Sequence, residues 1–149
     1  MKEFKKILFP VDLSESSPKI VPYVTTMAEK FEAEVHLLFV SRVFEYFSGI
    51  YVPHPSINDF EEQVQKGATK RLNEFKEDYF SDFQDTKAEI ISGDISEQIL
   101  KYIETKGIDL LILGTHGRKG LEKVVFGSVA ERVSKASPVP VLLVNPHKV

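Results

Sequence analysis

The sequence predicts a doubly wound α/β fold: a five-stranded parallel sheet in the order 3-2-1-4-5, with helices on both faces. Three observations carry this. Five short apolar runs alternate with helical stretches along 149 residues, a length that fits one domain over 1–149. Most of the runs are apolar at successive positions, as strands buried on both faces are. Right-handed crossovers between parallel strands then leave few topologies.

The elements follow in order. Ile7 to Val11 is a short apolar run that stops at Pro10 and Asp12, and it reads as a buried strand. Ser17-Pro18 suits a helix start, because serine can cap and proline fits the first turn. Ile20, Val21, Val24, Met27, Ala28 and Phe31 follow at helical spacing. Pro22 predicts a distorted first turn or a later start. Glu34 to Val40 is the second strand. Ser41 to Asn58 carries aromatics and prolines without a sustained period, so a long functional loop is expected there, closing toward a ligand as a lid. Asp59 to Phe80 is helical, with Phe60, Val64, Ala68, Leu72, Phe75 and Tyr79 on one face and an acidic, solvated face opposite.

Thr86 to Ser92 is the third strand. Asp94 and Glu97 form a capping box for a helix that Gly107 closes. Ile108 to Leu113 is the fourth strand, and a glycine-punctuated segment runs from Gly114 to Gly127. A helix from Ser128 to Ala136 and a last strand, Val139 to Val144, complete the chain.

Composition excludes several classes. Nineteen Lys and Arg against 22 Asp and Glu give a net charge of −3, which argues against a general nucleic-acid binder. Cysteine is absent, which removes disulfide scaffolds, thiolate metal sites and cysteine nucleophiles. The apolar run behind the basic start is too short for a signal peptide, and no stretch approaches a membrane span. The expectation is a soluble, cytoplasmic chain. No two histidines have metal-ligand spacing. His36 is expected to be exposed or half-buried, His54 lies in the long loop, and His147 in the tail.

In the order 3-2-1-4-5 the winding reverses between strands one and four, and ligands bind outside the carboxyl ends of strands at such a reversal. Pro10-Val11-Asp12 and Gly114-Thr115-His116-Gly117 reach that point. Glycines there permit sharp turns and close approach to a ligand. Gly127-Ser128 opens a helix, where unpaired N–H groups favour an anion. From Gly114 to Ser137 the basic residues Arg118, Lys119, Lys123, Arg132 and Lys135 outnumber Glu122 and Glu131. Phosphate suits this segment. Glycines also serve plain strand–helix corners, serine also serves as a plain cap, and Asp12 also serves as a turn acid, so the residues alone leave both readings open. The segment is neither a P-loop nor a G-x-G-x-x-G fingerprint.

Gly114-x-x-Gly117, nine residues, then Gly127-Ser128 resembles the G-2x-G-9x-G(S/T) signature of ATP-binding universal stress proteins. Ile7 to Ser14 resembles that family's first strand and loop, Gly107 to Gly117 its fourth strand and glycine loop, and Val139 to Val144 its last strand. The resemblance implies a flavodoxin-like α/β subunit, cytoplasmic and homodimeric through Val139–Val144, acting in stress response. It implies ATP, AMP or ADP as ligand, with Mg²⁺ or Mn²⁺ carried on the phosphates and not by the protein. The site it implies takes in Pro10, Val11, Leu113 and His116. Asp12 would face the nucleoside, Val40 would line the adenine pocket, Gly114 and Gly117 would bracket ribose and phosphates, and Gly127, Ser128 and Val129 would hold phosphate. Ala130 departs from relatives that place a hydroxyl there.

The chain shows no general base or activated nucleophile near the glycine loop, so a regulatory module with at most slow ATP hydrolysis is expected. The alternative is a dimeric interaction scaffold with an empty pocket or another nucleotide. A phosphoacceptor receiver domain is disfavoured, because only Asp12 ends strand one, Asp94 suits a helix cap, and Asn145 stands where a lysine is needed.

Overall fold

The computed structural model describes residues 1–42, 54–116 and 127–149, and for 54–58 the backbone alone. Gly117, Arg118, Lys119 and Lys123, and most of the expected lid, lie outside the described residues. The elements are β1 (Lys6–Pro10), α1 (Ser17–Phe31), β2 (Glu34–Ser41), α2 (His54–Phe80), β3 (Lys87–Ser92), α3 (Ile95–Lys106), β4 (Leu110–Gly114), α4 (Ser128–Ala136) and β5 (Val141–Val144). All strand pairs are parallel, in the order β3-β2-β1-β4-β5. This is the expected doubly wound sheet.

Alternate residues of the central strands face opposite sides. Ile7, Phe9, Leu37 and Ile112 pack with Ile20, Val24, Leu72 and Phe75 of α1 and α2. Leu8, Leu38, Leu111 and Leu113 pack with Ile99, Ile103, Ala130 and Val133 of α3 and α4. Two buried layers explain why the strands read as near-continuous apolar runs.

Several boundaries move. Helix α2 begins at His54, five residues ahead of the expected start, and so takes the end of the predicted loop. Phe60 and Tyr79, assigned to its apolar face, are 47% and 40% exposed. Helix α1 runs from Ser17 through Pro22 with no later start, and Ser16 at its N-cap makes no side-chain cap bond. β5 begins at Val141, so Pro140 stands ahead of the strand, with its carbonyl accepting from the Leu111 amide at 3.0 Å. Asp94 caps α3 as expected, accepting from the Glu97 amide at 3.0 Å, and Gly107 closes the helix in the left-handed conformation.

His36 departs from expectation. It is 5% exposed and faces α3, with Nδ1 2.7 Å from the Tyr102 hydroxyl and Nε2 2.5 Å from Glu34. A carboxylate only accepts, so Nε2 carries the proton and Nδ1 accepts from Tyr102. Burial lowers the His36 pKa below its ordinary 6.5, and the Glu34 hydrogen bond and charge offset part of this; Lys6 lowers it further and Glu89 raises it. Burial likewise raises that of Tyr102. The unfolded chain therefore takes up the proton first as pH falls. Stability is expected to be fully present above pH 6.5 and to decline below it. Urea melts of the wild type and His36→Gln at pH 7.5 and pH 5.5 check this. A pH difference of equal size in both would refute the assignment.

Candidate functional site

The paired register of β1 and β4 holds Ile7 against Leu110 and Leu8 against Leu111, and ends there. β1 continues to pair with β2 as far as Pro10, and β4 with β5 as far as Gly114. The paired register of the central strands thus stops short of their carboxyl ends, at the reversal of winding, the place where ligands bind in open α/β sheets. The Val11 amide stays with β2, donating to the Leu38 carbonyl at 2.9 Å.

Asp12 follows β1 and organises the turn into α1. Its Oδ1 accepts from the Ser14 amide at 2.9 Å, the Ser14 hydroxyl at 2.6 Å and the Ser17 hydroxyl at 2.7 Å. Ser17 is buried, so its hydroxyl needs this acceptor. The serine expected to cap α1 instead donates to Asp12. Leu13 takes a left-handed backbone (φ 60°), and its carbonyl accepts from the Arg71 guanidinium of α2 at 2.6 Å. Sequence reasoning missed Leu13 and Arg71, because Arg71 lies 58 residues away on a face that reads as solvated.

Gly114 ends β4. A Cβ there would stand 2.6 Å from Cδ1 of Ile20 in α1. Thr115 and His116 are buried, and Thr115 Oγ1 lies 2.8 Å from His116 Nδ1. The Thr115 amide donates to the Val144 carbonyl at 2.9 Å, and its carbonyl accepts from the Gly127 amide at 2.7 Å. A Cβ on Gly127 would stand 2.7 Å from that same carbonyl. At both glycines the direction a side chain would take is thus occupied by the protein itself, by Ile20 at Gly114 and by the Thr115 carbonyl at Gly127. Gly127 has an ordinary extended backbone, so its need is for room and not for a positive φ.

Gly127 is also the N-cap of α4, and among the described residues no side chain caps the helix. The first intrahelical bond runs from the Glu131 amide to the Gly127 carbonyl, so the amides of Ser128 and Val129 precede the ladder. Arg132 pairs with Asp94 at 3.2 Å and Lys135 with Glu131 at 3.0 Å, so these two cations are already engaged by acids. Val40 is buried in the layer that faces α3 and α4. Pro10–Asp12, Leu113–His116 and Gly127–Val129 thus meet at one edge of the sheet. Among the described residues no cluster of three or more acidic or histidine side chains could hold a metal ion, and no helix is long and apolar enough to cross a membrane.

The strand order, with β1 and β4 adjacent at the reversal of winding and α4 opening beside the end of β4, defines a doubly wound α/β protein. The profile of the universal stress protein family matches residues 3–145. The chain belongs to that family. It is 31% identical to Universal stress protein MJ0577 of Methanocaldococcus jannaschii over 95% of both chains. It is also 31% identical to Universal stress protein YxiE of Bacillus subtilis, over 95% of this chain and 99% of that one. The solved structure of MJ0577 superposes with a TM-score of 0.85 over 97% of both chains at 30% identity. The same fold appears in a universal stress protein in complex with cAMP (TM-score 0.70, 18% identity, 97% of this chain and 99% of that one) and in one from Archaeoglobus fulgidus in complex with dAMP (0.66, 14%, 95% and 98%).

Proposed function

We propose that the protein binds an adenine nucleotide, ATP in the first instance, at the carboxyl ends of β1 and β4, and acts as a regulatory module with at most slow hydrolysis. The observation that carries this reading is the α4 N-terminus. Among the described residues its first amides have no side-chain cap, and Gly127 seats them directly on Thr115 at the end of β4. Such a terminus suits a phosphate, and the Ser128 hydroxyl adds a donor. Gly114 and Gly127 stand at the spacing of the family's ATP signature. Two universal stress proteins of the same fold were solved with cAMP and with dAMP, which supports an adenine nucleotide as the ligand. Asp12 has its Oδ1 committed to the turn, which leaves Oδ2 for the nucleoside. Val40 would lie beside adenine, and Mg²⁺ or Mn²⁺ would ride on the phosphates.

Mass spectrometry of ligand released from natively purified protein tests the reading. An adenine nucleotide is the expected species. Release of a chemically different ligand, or of none from protein that also fails to take up ATP, would favour the scaffold alternative.

The proposed assembly is a homodimer through β5, an edge strand of uncharged Val and Leu. An uncharged edge invites pairing with a second chain, and with Pro140 ahead of the strand every residue of β5 keeps its N–H. Light scattering at micromolar concentration should give about twice 16.9 kDa. A wild-type mass of one chain would reject the stable dimer.

A further inference from the structure

Asn145-Pro146-His147-Lys148 has the composition of a tight turn: proline presets φ at the second place, and an asparagine side chain can accept from the amide two residues on. The structure forms it. Asn145 Oδ1 accepts from the His147 amide at 2.9 Å, the Asn145 carbonyl accepts from the Lys148 amide at 3.1 Å, and Pro146 is buried. The turn leaves β5 at Val144, which pairs with Gly114 and accepts the Thr115 amide. It therefore emerges beside the end of β4. There the His147 ring meets the His116 ring edge to face, with centroids 4.9 Å apart and planes at 73°.

We propose that His147 is a positioning residue for the nucleotide site, an inference that rests on the reading given above. Contacts run without a gap from His147 to the buried His116 ring, from His116 Nδ1 to Thr115 Oγ1, and from the Thr115 carbonyl to the Gly127 amide at the head of α4. His147 itself is exposed, yet its ring closes over a buried residue of the glycine segment. The hydrogen bonds of the turn come from backbone and from Asn145, so any residue at 147 with a backbone N–H would preserve them. Among the described residues, what the imidazole adds is the ring contact. That contact holds the His116 ring, and through it the Thr115 corner on which Gly127 rests.

The test is calorimetric titration of the full chain with ATP and Mg²⁺, for the wild type, His147→Ala, His147→Phe and Lys148→Ala. Loss of the ring should weaken ATP about two- to tenfold, the range that one aromatic pair carries. His147→Phe keeps a ring and should bind close to wild type, and Lys148→Ala should match wild type. In the free protein the His116 side-chain NMR resonances should move in His147→Ala and stay in Lys148→Ala, with thermal midpoints unchanged. Equal affinity of His147→Ala and wild type would overturn the proposal, as would a phenylalanine variant as weak as the alanine one. A wild type that takes no ATP would defeat the reading of the site first, and that result is visible before any variant is made.

Discussion

Alanine at Gly127 is expected to weaken ATP binding roughly tenfold or more, the larger of two adjacent effects. The new methyl would stand 2.7 Å from the Thr115 carbonyl oxygen, a backbone atom that cannot swing aside as a side chain can. Relief requires the α4 N-terminus to retreat from Thr115, breaking the 2.7 Å bond between the Gly127 amide and that carbonyl. The amides of Ser128 and Val129 move with it. Ser128→Ala removes one exposed hydroxyl and leaves the corner in place, so its cost should be smaller, about 0.5–1.5 kcal/mol for a neutral hydrogen bond. Calorimetry on both variants separates the cases. Wild-type affinity in Gly127→Ala would put the phosphate elsewhere on the protein.

Asp12→Ala is expected to lower stability by about 2–3 kcal/mol, because a carboxylate that gathers three donors is lost. The Ser17 hydroxyl, 3% exposed, is then left without its acceptor, and the Ser14 amide and hydroxyl lose theirs. The thermal midpoint should fall by roughly 5–10 °C. Asp12→Asn retains an acceptor oxygen and should lose less. The same turn holds Leu13 in its left-handed conformation, with Arg71 on the carbonyl, so loosening it should also weaken ATP. Thermal unfolding followed by circular dichroism reports the first effect and calorimetry the second. An alanine variant as stable as wild type would show that Asp12 does not organise the turn.

The strand order was legible because the central strands β1, β2 and β4 are buried on two sides and therefore announce themselves as apolar runs. The glycine spacing that points to the site was legible for a related reason, since backbone corners depend on local residues. What escaped was long-range. His36 alternates with apolar neighbours as a half-exposed residue would, yet Tyr102, 66 positions later, supplies the partner that lets it be buried. Phe60 and Tyr79 keep helical spacing with Leu72 and Phe75, but α2 is about 40 Å long and β3 about 20 Å, so the Phe60 end overhangs the sheet, and at the other end Phe80, 1% exposed, takes the core position beside Tyr79. The purpose of Gly127 was also hidden. Spacing marked the residue, whereas the Thr115 carbonyl that excludes a side chain there appears only once β4 and α4 are folded together.

Titration of isotope-labelled protein with ATP and Mg²⁺, followed by amide NMR, tests the central claim most directly, because it reports binding and location together. The largest shifts are predicted at Ser128 and Val129, at Gly114 and Thr115, and at Asp12, with the centre of α2 unmoved. Saturable shifts centred on another surface, or a spectrum unchanged at millimolar ATP, would contradict a nucleotide site between β1 and β4.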